Sequence, residues 1–168
     1  ASCPVQVIHA RSRVDQPIRV MVAVDGSPDS EAAIKSVISR SWRPGTVIQL
    51  VTVIDANDKR TDRIPTLFRD EWPVQHDADA GEWVCGWIDQ ASAKLRQSGV
   101  EVAQHILEGK PATVLRQHLL DWKTDLLFLG GRGLDHGNRQ GLGALSSTLL
   151  KEGLCSLVLA KETNPSAR

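Results

Sequence analysis

Ile18 to Val24 reads IRVMVAV, an uninterrupted and mostly β-branched run that stops at Asp25-Gly26-Ser27-Pro28. A strand with one face in water alternates apolar and polar residues. A strand apolar at nearly every position is buried on both faces, which is the habit of parallel sheets covered by helices. The break after Val24 is a helix start: Ser27 can cap, Pro28 suits the first helical position, and Asp29 and Glu31 fall where the positive end of the helix dipole favours carboxylates. Ile34, Val37 and Ile38 give that helix an apolar face, and Pro44-Gly45 turns the chain into a second apolar run, Val47 to Ile54.

The alternation continues. A polar stretch runs from Asp55 to about Asp79, too long for an ordinary turn, and reads as an excursion or lid. Trp83, Val84, Trp87, Ile88, Ala91 and Leu95 then recur at helical spacing until Ser98-Gly99. Val100 to Leu107 alternates well enough for a partly exposed edge strand, and Gly109-Lys110-Pro111 leads into a third helix whose stripe is Val114, Leu115, Leu119 and Trp122. A fourth strand follows Asp125, a short helix ends near Gly153, and Cys155 to Ala160 supplies the fifth strand. The expected fold is α/β, a doubly wound five-stranded parallel sheet with helices on both faces, because right-handed crossovers leave few other topologies. Residues 1–17 are expected to be an N-terminal extension in which only Val5 to Ile8 resembles a short strand. Residues 18–161 form the domain and 162–168 a tail. No internal repeat stands out.

The length of 168 residues suits one domain with a sizeable core. Twenty basic and twenty acidic side chains cancel, and no Lys/Arg cluster offers a face for nucleic acid. No apolar run is long enough to span a membrane, and the first ten residues lack a signal-peptide core. Cys3, Cys85 and Cys155 share no redox or metal spacing, so free thiols and a cytoplasmic, reducing location are expected.

Function is written most densely between Leu126 and Leu150, LLFLGGRGLDHGNRQGLGALSSTLL. Gly130 and Gly133 stand in G-x-x-G spacing, nine residues precede Gly143, and Ser146, Ser147 and Thr148 follow at a helix start, where backbone N–H groups lack partners. The pattern predicts a phosphate cradle. Asp25 and the Gly130 loop both follow strand ends and are expected to face one crevice, where ligands of such sheets bind. The plainer alternatives are that the glycines only permit a tight connection and that Asp25 only caps a turn. Arg132 and Arg139 are candidate phosphate partners, Arg132 the better placed because it lies inside the motif. His76, Asp77 and Asp79 lack zinc-site spacing, so no metal site of the protein's own is expected. His9, His105, His118 and His136 are scattered and assemble with no nucleophile, so no enzyme is expected.

Taken together, VAVDGSPDSEAAI, VTVID, ILEGKPATVL and TDLLFLGGRG…GLGALSS…CSLVLA resemble the universal stress protein family across residues 18 to 160. The resemblance implies strand order 3-2-1-4-5, dimerisation through the last strand, here residues 155–160, and, in one subgroup, ATP held by a G-x-x-G, nine-residue gap, G-[ST] motif. Carried onto this chain, it implies Asp25 near the ribose or a nucleotide-bound Mg, Val53 against the adenine, and Gly130, Arg132 and Gly133 at the loop. It puts Gly143 and Ser146 at the phosphates, with Val24, Leu129, Ala144 and Leu145 flanking them. Ala144 stands where the motif has serine or threonine. A hydrogen bond to a charged group is worth about 1.5–3 kcal/mol, so the missing hydroxyl predicts binding weaker by roughly ten- to a hundredfold unless Ser146 compensates.

Two functions compete. One is a cytoplasmic stress-response module that binds ATP or a related adenine nucleotide without a dedicated fast catalytic step, slow hydrolysis aside. The other is a family member without nucleotide, acting as a dimeric structural or protein-interaction module, with Asp55 to Asp79 meeting an unknown protein partner. A third reading, an ATP-pyrophosphatase, rests on the poor echo of a phosphate loop in Gly26 to Ser30.

Overall fold

The computed structural model describes residues 4–9, 17–55, 80–97, 99–133 and 141–162. The expected excursion at 56–79 and the centre of the glycine loop at 134–140, with His136 and Arg139, lie outside the described residues. In chain order the elements are β1 (Val5–Val7), β2 (Arg19–Ala23), α1 (Pro28–Ile38), β3 (Val47–Ile54), α2 (Ala80–Arg96), β4 (Glu101–Glu108), α3 (Pro111–Asp121), β5 (Leu126–Gly130), α4 (Ala144–Glu152) and β6 (Ser156–Ala160). No described helix is long and apolar enough to cross a membrane.

The sheet runs β1-β6-β5-β2-β3-β4. Its five parallel strands, β4-β3-β2-β5-β6, stand in the order that the resemblance implies, and β2 lies at the centre between β3 and β5. One strand more than expected is present. Val5 to Val7, read as part of an extension, pairs antiparallel with β6 through Val5↔Leu159, Gln6↔Val158 and Val7↔Leu157. Three residues carry too short a pattern to announce a partner 150 residues away, which is why the sequence shows the strand but not its place. The outer edge of β6, the expected dimer edge, is therefore occupied within the chain.

Two apolar clusters sit on the two faces of the sheet. Val20, Val22, Ile48, Leu50, Phe128 and Val158 point toward α1 and α2, where Ala33, Ile34, Val37, Ile88, Ala91 and Leu95 meet them. The alternate positions Met21, Ala23, Val51, Leu127, Leu129, Leu157 and Leu159 pack with Leu115, Leu119 and Leu149 from α3 and α4, together with the buried thiol of Cys155. This period-two division explains the continuous apolar runs: each central strand serves two cores. Because α1 and α2 cover one face and α3 and α4 the other, the winding reverses between β2 and β5, and a crevice opens beyond their carboxyl ends.

Candidate functional site

Two strand ends and two helix starts build this crevice. β2 ends at Ala23, and the N–H of the next residue, Val24, donates to the Val51 carbonyl at 2.9 Å. Asp25 follows, and its Oδ1 accepts from Ser27 N at 3.0 Å, an Asx turn that Gly26 completes with φ 76°. Ser27 caps α1 by accepting from Ser30 N at 3.2 Å, Glu31 N donates to Ser27 O at 3.1 Å, and Asp29 and Glu31 fill the first turn. The start of α1 thus carries a side-chain cap and two carboxylates of its own.

Opposite it, β5 ends at Gly130 and the chain turns through Gly131, Arg132 and Gly133. Proximity requires glycine at 130, where the neighbour is backbone, and favours it at 133, where the neighbour is the Asp25 carboxylate. A Cβ at Gly130 would lie 2.9 Å from the Asp29 carbonyl carbon and the Ser30 nitrogen, and one at Gly133 would lie 2.6 Å from Asp25 Oδ2. Gly131 N donates to Ala160 O at 2.6 Å, and the loop closes where Gly143 N donates to Gly131 O at 2.8 Å. Asp25 and the glycine loop therefore share one crevice, as expected.

Gly143 is the N-cap of α4; it offers no side chain, and the first turn carries no acid. The first intrahelical bond runs from Ser147 N to Gly143 O at 2.9 Å. That leaves the N–H groups of Ala144, Leu145 and Ser146 as those an α-helix does not satisfy internally. The partial positive charge of the helix collects on the same groups. This end can take an anion.

The side chains of the motif have other partners. Ser146 is buried, and its hydroxyl donates to Gly130 O at 2.8 Å, bracing strand end against helix start. Its hydrogen is committed, so it does not replace the hydroxyl that Ala144 lacks. Arg132 turns toward Asp29, with Nε 3.2 Å and backbone N 3.1 Å from Asp29 Oδ2. Asp29 Oδ1 accepts from Glu162 N at 2.8 Å, while Ser27 Oγ makes a long contact, 3.4 Å, with Arg132 O. Asp29, only 4% exposed, thus ties the start of α1, the glycine loop and the chain after β6 together. Sequence reasoning assigned Asp29 to the helix dipole alone. Its donors come from positions 132 and 162, so nothing local marks it.

The remaining candidates form the walls. Val24 is buried against α1 and α2, and Leu129 against α3 and α4. Val53 and Leu145 are half-buried on the α3 and α4 side, an apolar flank. Ala144 is exposed. Away from the crevice, His118 Nε2 lies 2.9 Å from Gln49 Oε1 and the His118 ring 5.1 Å from that of His105. Burial, then the charge of His105, lowers the pKa of His118 below 6.5, against the opposing pull of Asp121. Among the described residues no group of three or more His, Cys, Asp or Glu is placed to hold a metal ion.

The model of the universal stress protein family matches residues 18–161. The chain is similar to a universal stress protein of Mycobacterium tuberculosis, 28% identical over 168 residues, covering 97% of this chain and 53% of that relative. It spans about half the length of such relatives. Its fold is that of a universal stress protein family protein from Arabidopsis thaliana solved with AMP bound, at TM-score 0.62 and 20% identity, covering 90% of this chain and 97% of that one. It is also that of a universal stress protein solved in complex with cAMP, at TM-score 0.59 and 14% identity, covering 88% and 98%.

Proposed function

The chain belongs to the universal stress protein family, and from that premise we propose that it is a regulatory module binding an adenine nucleotide beyond β2 and β5. One observation carries the reading: the start of α4 is uncapped and free of acid while the glycine loop is clamped against it. Solved relatives of the same fold that hold AMP or cAMP support adenine as the base.

The residues present fit the group. N–H donors of Ala144, Leu145 and Ser146 suit phosphate oxygens, and Gly130 and Gly133 let the loop lie close against the start of α1 and Asp25, where a Cβ would crowd. The exposed Asp25 carboxylate suits a ribose hydroxyl or a phosphate-bound Mg, which usually takes few protein ligands. Val53 and Leu145 supply apolar surface for the base. ATP is the proposed ligand, with binding itself as the signal in the cytoplasm and no fast chemical step. A nucleotide shifts the module between states only by its differential affinity for them.

The competing reading, an interaction module without nucleotide, draws on one observation: Ser146 spends its hydroxyl on Gly130, so the loss at Ala144 stands uncompensated. Calorimetric titration with ATP, AMP and cAMP separates the two. Heat of binding that disappears in Gly143→Val supports the nucleotide module; no heat at millimolar nucleotide, and no nucleotide released on denaturation, sinks it.

A further inference from the structure

Away from the crevice, three polar side chains meet on the face of the sheet that the second apolar cluster lines. β3 sends Gln49 to that face, on the same side as Val51, and β4 sends His105 there, on the same side as Leu107. In the β3–β4 register Gln49 stands opposite Ala103 and Val51 opposite His105, so the small Ala103 leaves room between amide and imidazole. α3 lays His118 over that gap, on the flank of the stripe formed by Leu115 and Leu119. The His118 ring lies 5.1 Å from that of His105, tilted by 55°, and its Nε2 lies 2.9 Å from Gln49 Oε1. β4 is the end of the sheet here, so both imidazoles are only half-buried, whereas Gln49 is 8% exposed.

The contact with Gln49 decides which nitrogen of His118 is free. With Gln49 Oε1 as the acceptor, Nε2 is the N–H and Nδ1 carries the lone pair. A hydrogen-bond acceptor that fixes the tautomer of an imidazole in this way is the habitual support of a metal-binding histidine. The spacing of the rings agrees. Two imidazoles that share a zinc ion at about 2.0–2.1 Å and a near-tetrahedral angle have centroids about 5 Å apart, each centroid lying about 1.1 Å beyond its ligating nitrogen. The separation of 5.1 Å between His105 and His118 matches it.

We infer that His105 and His118, braced by Gln49, bind a divalent transition ion of the zinc class between β4 and α3, His118 through Nδ1. The protein supplies two ligands and water the rest, in keeping with the absence, among the described residues, of any group of three or more His, Cys, Asp or Glu around an ion. Imidazole selects such ions over Mg, so this site does not compete for the Mg that a nucleotide brings. With two protein ligands the ion is exchangeable, and its binding ties the edge strand to α3.

Zinc sulfate titrated into the full chain, isotopically labelled and stripped of metal, tests this through the imidazole nitrogen resonances. The expected result is a joint shift of the His105 and His118 rings, with His118 changing at Nδ1 while Nε2 stays protonated. Magnesium at the same concentrations should move neither ring. Gln49→Leu keeps the volume and releases the tautomer, and zinc affinity should fall about ten- to a hundredfold. His105→Gln should lose the zinc-dependent rise in melting temperature that the parent chain shows. Silence of both rings up to millimolar zinc overturns the inference and leaves the contact as the packing of two aromatic rings. A shift at one ring alone, or unchanged affinity in Gln49→Leu, also overturns it. The ring shifts are read in the parent chain, so they decide the matter even where a variant fails to fold.

Discussion

Two helices start on the same crevice, α1 after β2 and α4 after β5, and they spend their free N–H groups in opposite ways. At α1 Pro28 has no N–H, Ser30 N is taken by Ser27 Oγ, and Asp29 and Glu31 meet the dipole with charge. At α4 the cap is Gly143, with no side chain and no acid in the first turn. The dipoles are alike; what differs is how much of each the chain has already used. In the proposed function the anion meets the helix start left unfinished, and the finished neighbour supplies the wall beside it, Asp29 anchoring Arg132 and the glycine loop.

The comparison can be broken from either side. The largest effect is expected from Asp29→Ala, which strands the Arg132 guanidinium and two backbone donors: about 3 kcal/mol of stability lost, roughly 10 °C in melting temperature. Calorimetric melting checks this, and Asp29→Asn should retain part of it. Next comes Ala144→Glu, which gives α4 the acid that α1 possesses. Nucleotide affinity should drop by at least about tenfold while stability rises by about 0.3–1 kcal/mol. Titration calorimetry and melting read the two signs, and unchanged affinity would mean that phosphate does not meet this turn. Ser27→Ala should cost about 1 kcal/mol of stability through the lost cap and leave affinity alone, as urea titration and binding together would report.

The smallest effect lies away from both starts. The pKa of His118 is lower in the folded chain than its ordinary 6.5, so the unfolded chain binds the proton more readily. Its stabilising contribution is complete above 6.5 and is lost as pH falls through the folded value. The loss should be equal in the parent chain, Ser27→Ala and Ala144→Glu, and reduced in His118→Gln, as melting at a series of pH values would show.

How much of this was legible in sequence follows from how local each cause is. The five core strands and the start of α1 announce themselves, because apolar runs, a capping serine and Pro28 act over a few residues. The glycine spacing marked the loop that lies against Asp25 and the start of α1 for the same reason. The Asp29 knot did not show, since its partners sit at 132 and 162 and burial of an acid leaves no mark in its neighbours. The second role of Ser146 did not show for a related reason: its hydroxyl bonds Gly130 O, 16 residues earlier in the chain, and braces the strand end. Val5 to Val7 was recognisable as a strand but not as a sixth one, because its partner lies at the other end of the chain.

The central claim, that phosphate meets α4 and not α1, is tested most directly by backbone amide resonances during titration with ATP. The account predicts that Ala144, Leu145 and Ser146 shift progressively while Ser30 and Glu31 stay still. Movement at Ser30 and Glu31 with a silent α4 would contradict it, and so would an ATP titration that moves neither.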